Sequence, residues 1–420
     1  MKSFNTFIAL ALVSGSAIAS NNIEWLPAAE RDLIATDLTI ATDAIPNSFH
    51  SETTPLSYTW AATERSPTDA AMQGAVVESR QYWVDVSAQA LERGVKLPIS
   101  APGSVIRVSA LDSDTGLQLD PGRLELSING QSLNRSALET ASGSEMRQQG
   151  MQVPQDSLAF RLPIDSQAGS LEMRMTGTAV QTPMVIHVYE PESPWVARMS
   201  AARSSFLSDQ TIELELVLDD GGKSFSVDQV SAMLVSPDAG EMIDLSRSDD
   251  AGKLQAIVPI SAVSAAPGLH EVHAYVEHNI DGMTVKRDLK LAIGVAPASG
   301  RFTGQVDNLS PLGLNLNLGV EVAVEGRYQV NAEIFGTNER GDLKPLAFTQ
   351  SATVLEAGSG LISIGVDADI LRASELSAPF EIRNLQLMDQ GRMFVLEHRE
   401  QALKVGFPSQ ESGRDFRIER

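Results

Sequence analysis

Between Leu314 and Glu325 the chain alternates without a break. Leu314, Leu316, Leu318, Val320, Val322 and Val324 are apolar, and Asn315, Asn317, Gly319, Glu321, Ala323 and Glu325 are polar or small. Successive side chains of a strand point to opposite faces, so this pattern suits a sheet with one dry and one wet face and suits a helix poorly. The same period governs much of the chain. Thr211 to Leu218 puts Ile212, Leu214, Leu216 and Leu218 on one side and Glu213 and Glu215 on the other. Tyr82 to Val86, Val105 to Leu111, Leu124 to Ile128, Leu171 to Met175 and Val185 to Tyr189 behave alike. Ala101-Pro102-Gly103, Asp120-Pro121-Gly122 and Asn129-Gly130 separate them with residues that supply turn dihedrals. The expected fold class is all-β: tandem β-sandwich domains with a central immunoglobulin-like domain, preceded by an irregular N-terminal extension.

The chain of 420 residues is long enough for several separate cores. Residues 1–19 read as a Sec signal peptide, with Lys2, an apolar run from Phe7 to Val13, and Ala17-Ile18-Ala19 before the expected cleavage point. That run is about half of the ~20 residues needed to span a bilayer. Residues 20–74 form the extension, expected to pack on the first domain and to hold one helix near Pro27 to Leu38. A β-sandwich is expected over 75–193, ending at the Pro-rich joint Glu190 to Pro194. The immunoglobulin-like unit covers 194–297, with about seven strands and a terminal hairpin around Asn279-Ile280-Asp281-Gly282. A C-terminal sandwich follows over 298–408, with strands near Tyr328 to Ile334, Ala352 to Leu355, Leu361 to Val366, Phe380 to Leu387 and Met393 to Leu396. Ile370 to Leu376 reads as one helical turn, and 409–420 as a flexible tail.

Charge removes several classes of function. With 32 Lys and Arg against 54 Asp and Glu, the formal charge of -22 repels phosphate backbones and anionic headgroups, so neither nucleic acid nor membrane insertion is expected. Absence of cysteine excludes disulfides, thiolate metal sites and Cys nucleophiles. No Gly-x-Ser-x-Gly elbow and no phosphate-binding glycine loop occurs.

Three groups of residues invite a chemical reading. The pairs Asp112 and Asp114, Asp219 and Asp220, and Asp249 and Asp250 offer clustered oxygens of the kind calcium takes, although Asp and Gly are also ordinary turn residues. His270-Glu271-Val272-His273, followed by Glu277 and His278, lacks the four-residue His spacing of a zinc helix and reads as a strand. A surface zinc site would need His273 with Glu271 or Glu277 on its wet face. Finally, Tyr58, Trp60, Tyr82 and Trp83 are aromatic side chains that could stack on a sugar in the first domain, or lie in its core.

Three stretches resemble a known family: Gly94 to Pro98 with Ala101 to Arg107, Arg327-Tyr328 with Phe335 to Thr337, and Ala378 to Leu385 running into Asp389 to Met393. The chain is similar over roughly 75 to 405 to an uncharacterised family of exported Gram-negative proteins, some of them similar to type II secretion substrates. The resemblance implies a signal peptide and tandem β-domains with an immunoglobulin-like unit. That family has no defined catalytic residues, so it assigns none here. The expected function is that of an exported, non-catalytic protein in the periplasm or beyond, monomeric, possessing a binding or adhesion surface for a protein or glycan partner and stabilised by calcium. The contrasting expectations are a secreted hydrolase or accessory module with a carboxylate pair in an N-terminal groove, and a periplasmic assembly factor that lends a strand edge.

Overall fold

The computed structural model describes residues 23–39, 52–62, 74–111, 119–176, 183–247, 253–259, 268–309 and 314–406. The segments expected to be a signal peptide, 1–19, and a flexible tail, 409–420, lie outside these residues. Three sandwiches are present, in two compact units. One unit holds the described parts of 1–38, 50–68 and 300–420, and the other those of 39–49 and 69–299.

In the second unit, the first sandwich opposes a sheet ordered Gln81–Val86, Met184–Tyr189, Val105–Ala110, Leu158–Arg161, Glu139–Ser142 to one ordered Val95–Ile99, Gly169–Met175, Leu124–Ile128, Gln131–Ser132. Alternation fills the space between them: Ile106, Val108, Leu171, Met173, Ile186 and Val188 are fully buried. The central sandwich has the immunoglobulin order. Val196–Ala201, Thr211–Asp219 and Lys253–Ile257 neighbour one another in one sheet, and Met283–Ala296, His270–Ile280 and Gln229–Val235 in the other. Ser205–Leu207 pairs in parallel with Met283–Ala296, so the first part of the domain crosses from one sheet to the other. Asp281 and Gly282 join the terminal hairpin with φ of 50° and 84°, the left-handed pair that a two-residue turn of matching twist requires. The domain start shifts relative to expectation: Val76–Ser79 pairs with Val196–Ala201 and belongs to the central sheet.

The joint between these two sandwiches is closed by charge. Arg287 and Glu190 are both 0% exposed, with Nη1 donating to Glu190 Oε2 at 2.7 Å. The other guanidinium hydrogens go to the carbonyls of Trp195 and Lys286 and the hydroxyls of Ser100 and Ser193. Glu190 also accepts from the Ser100 backbone N–H and hydroxyl. Burial lowers the Arg287 pKa and the Glu190 charge opposes that. Beside it, Asp288 accepts from the Trp83 backbone N–H at 2.7 Å, and desolvation pushes its carboxyl up to about 6. A Pro-rich stretch that reads as a linker is therefore a fully bonded interface.

The first unit contains the last sandwich. Its larger sheet runs Ile23–Trp25, Phe394–Val405, Ser377–Asp389, Gly326–Thr337, Leu343–Leu355, Leu56–Ala61, and the smaller one Gly300–Asn308, Asn315–Val322, Gly358–Gly365. The N-terminal extension thus supplies both outer strands of the larger sheet, and the expectation that it packs on the first domain is corrected. Ile23–Trp25 covers the far edge of Phe394–Val405, where the Trp25 indole donates to the Gly304 carbonyl and lies under the Arg399 guanidinium. No helix forms over Pro27 to Leu38. Leu33 instead exchanges both backbone hydrogen bonds with His398, and the Asp32 carboxylate accepts from the backbone N–H groups of Ala29 and Glu400. These bonds to a sheet edge replace those a helix would have made. The helical turn near Ile370 is present as Ala368–Ser374.

Substituting Arg287→Met leaves a buried carboxylate without its cation and is expected to lower the unfolding free energy by about 3–5 kcal/mol. The double variant Arg287→Met, Glu190→Gln should recover part of that loss. Urea denaturation followed by tryptophan fluorescence measures both.

Candidate binding face of the last sandwich

Leu56–Ala61 is an edge strand, and its alternation is inverted in chemistry. Ser57 and Thr59 turn inward, where the Ser57 hydroxyl meets that of Ser351 at 2.8 Å and Thr59 donates to the Gly365 carbonyl. Leu56, Tyr58 and Trp60 consequently turn outward. Tyr58 is 51% exposed and Trp60 50%, with ring centroids 5.9 Å apart and planes 22° from parallel. Inward hydroxyls bonded across the strand fix the register, and the register fixes which face receives the rings.

Register also shows what lies beside them. Tyr58 is opposite Gln350, Gln350 opposite Asn331, and Asn331 opposite Gln386. One row below, Leu56, Ala352, Gln329 and Met388 follow in the same way, and one row above, Trp60, Phe348, Glu333 and Arg383. The alternate residues of the central strand, Tyr328, Val330, Ala332 and Ile334, are buried in the core. The outer face of this sheet is thus open at an aromatic corner; away from it Arg327, Gln329, Glu333 and Gln386 are buried at 7 or 8% exposure.

The amides hold one another. Arg327 Nε donates to Gln390 Oε1 at 2.8 Å, Gln390 Nε2 donates to Gln329 Oε1, and Gln329 Nε2 donates to Asn331 Oδ1 at 2.7 Å. Arg327 Nη1 donates to the carbonyls of Glu52 and Thr54, which ties the chain leading into the edge strand to the sheet. Together Tyr58, Trp60, Arg327, Gln350 and Gln390 line a hollow of about 230 Å³. Ring faces, amide donors and acceptors, and a guanidinium meet there; the arrangement can hold a ligand with apolar and hydrogen-bonding surfaces on one molecule.

At the far end of the row, His398 is 1% exposed and neither ring nitrogen has a hydrogen-bond partner among the described residues. Desolvation draws its pKa down to about 4, against the pull of Asp32.

The four aromatic residues singled out by sequence divide into two pairs. Tyr58 and Trp60 belong to the last sandwich. Tyr82 is 1% exposed in the first sandwich, where its hydroxyl donates to the Pro98 carbonyl. Trp83 stacks on His187 at 4.6 Å and is half-buried. Burial, helped by Arg107, holds the His187 pKa at about 4.

Of the acidic pairs, Asp112 and Asp114, and Asp249 and Asp250, lie outside the described residues. Asp219 and Asp220 shape a turn: Asp219 Oδ1 accepts from Gly221 N, and Asp220 Oδ1 from Gly222 N and Lys223 N. His273 Nε2 is 2.8 Å from Glu271, and Glu277 pairs with Lys286 at 3.0 Å. Among the described residues, no three His, Cys, Asp or Glu side chains are grouped as a metal would need.

The fold and this face define an all-β chain of tandem sandwiches. Residues 47–190 match the N-terminal domain, and residues 299–406 the C-terminal domain, of a family described as a domain of unknown function, DUF4785. The chain belongs to that family. A crystal structure of a DUF4785 family protein from Legionella pneumophila is similar in fold, with a TM-score of 0.69 at 18% identity, covering 88% of this chain and 98% of that one. A Salmonella alpha-2-macroglobulin mutant aligns with a TM-score of 0.25 at 13% identity, over 78% of this chain and 21% of its own. No curated protein matches the chain.

Two stability measurements check this placement. Trp60→Ala should lower the unfolding free energy by about 1–2 kcal/mol, as for a half-buried ring with one aromatic partner, whereas Tyr82→Ala should remove about 3–5 kcal/mol. For His398, the folded pKa lies below the unfolded ~6.5, so its contribution is complete above that value and is lost as pH falls toward about 4. His398→Leu should flatten that part of the melting temperature profile between pH 7 and pH 4.

Proposed function

We propose that this chain is an exported, non-catalytic binding protein whose last sandwich holds its partner on the outer face of the larger sheet. The observation that carries this reading is the half-exposed, near-parallel Tyr58 and Trp60 pair over a mostly apolar hollow that Gln350 and Gln390 rim. Large aromatic side chains are the usual anchors of recognition surfaces, and leaving two of them in water on an edge strand has no benefit to the fold alone. Support for export comes from Lys2, the apolar run and Ala17-Ile18-Ala19. No helix of the described residues is long and apolar enough to cross a membrane. A second reading, addition of a partner's strand, is favoured by the fact that Leu56–Ala61 pairs on one side only among the described residues.

Labelled mature chain should bind cell-surface or extracellular material, and the double variant Tyr58→Ala, Trp60→Ala should bind about tenfold more weakly or worse. Equal binding by the two proteins would exclude this face from the function.

A further inference from the structure

We infer that the ligand of this face is an uncharged oligosaccharide lying across the strands of the larger sheet. This rests on the binding reading above and adds the class of ligand. Sugars present C–H patches to ring faces and a fringe of hydroxyls that both donate and accept. Rings and amides match those two needs, and here they occur in one row.

The row is Tyr58, Gln350, Asn331 and Gln386, on four neighbouring strands. Strands lie about 4.8 Å apart, so the open part of the row, from Tyr58 to Asn331, extends over about 10 Å, long enough for about two sugar rings, and it ends at Gln386, which is only 7% exposed. Gln350, half-buried beside Tyr58, makes no side-chain hydrogen bond among the described residues and can bond a ligand. Gln329, Asn331 and Gln390, in contrast, are locked together and give the surface a fixed shape before any ligand arrives.

Charge selects against an anionic ligand. Among the described residues Arg327 is the one cation lining the hollow, and its Nε and Nη1 hydrogens already reach Gln390, Glu52 and Thr54. At the opposite corner, Arg383 is paired with Glu381 at 2.7 Å. A polyanion would meet one partly occupied guanidinium on a chain of net charge -22. A neutral glycan meets no such opposition.

The test is an array of neutral oligosaccharides of increasing length, with oligogalacturonate as the anionic probe and an extended Val-Thr peptide as the strand probe. Binding is read by tryptophan fluorescence and calorimetry on the full mature chain. At least one neutral glycan should bind, more tightly as it lengthens and with little salt dependence. Trp60→Ala and Gln350→Ala should each weaken it about tenfold, while Ile164→Ala, an exposed apolar side chain of the first sandwich, leaves it unchanged. Each variant's melting temperature controls for folding. Binding of oligogalacturonate alone, of the peptide alone, or of no member of the array overturns the inference. If the double aromatic variant still loses cell-surface binding in that event, the face is right and the ligand class wrong; if it does not, both fail.

Discussion

The ion pair between Arg287 and Glu190 sets how the second unit can behave. A charge pair with both members fully enclosed is stable only when every donor and acceptor is used. Here the guanidinium hydrogens are distributed over a carboxylate, two carbonyls and two serine hydroxyls drawn from both sandwiches and the segment between them. Separation of the sandwiches would strip the bonds to Glu190, Ser100 and Ser193 at once, leaving only those to Trp195 and Lys286 on the side of Arg287 itself. Two domains that read in sequence as beads on a Pro-containing string are therefore one cooperative object. Asp288, held on the Trp83 backbone, adds a second fixed contact at the same boundary.

Such pairs matter more in a chain without cysteine. Exported domains often add disulfides where a small core is insufficient. This chain has none, and its substitutes are dry cores built from alternation and edges covered by remote segments. Leu33 exchanging hydrogen bonds with His398, and Trp25 bonded to Gly304, bring the beginning of the chain to its last sandwich. Loop closure over such a distance carries only a logarithmic penalty, which a few strand pairings offset.

Strand type was legible because period-two burial is a local property. Asn315–Val322 and Thr211–Asp219 lie where the alternation puts them, and the Asp281-Gly282 turn follows from the two residues best able to take positive φ. The extension was not legible, since its strands are stabilised by partners some 300 residues away and contain no long alternating run. The Pro27 to Leu38 segment has the composition of a short helix, yet its backbone is claimed by the sheet edge. The short helix Gly143–Gln148 was not legible in the alternation, although Ser142 and Glu145 form a capping box, a signal present in the sequence. The candidate face was half legible. Aromatic identity marked Tyr58 and Trp60 but could not separate them from Tyr82, because a ring on a strand is core or surface according to which parity is buried. The alternate positions of Gly326–Thr337 carried a partial clue: Gln329 and Asn331 are amides between Arg327 and Glu333, a polar row that the fold nevertheless buries at Arg327, Gln329 and Glu333.

The two halves of that face come from opposite ends of the polypeptide, which has a consequence for how recognition is built. The rings arrive on Leu56–Ala61, and the amides on strands beyond residue 325. Beside the backbone ladder to Leu343–Leu355, the Ser57 and Ser351 hydroxyls, the Thr59 bond to Gly365 and the Arg327 bonds to Glu52 and Thr54 hold them in one register. A slip of one residue would turn Tyr58 and Trp60 into the core and bring Ser57 and Thr59 out, so the rings face outward in a single alignment. Small inward hydroxyls beneath large outward rings are the reverse of what a strand adopts for stability, and the sheet compensates with polar bonds on the buried side. Local rules broken in this way, with the compensation visible, are what a binding site on an otherwise regular sandwich should look like.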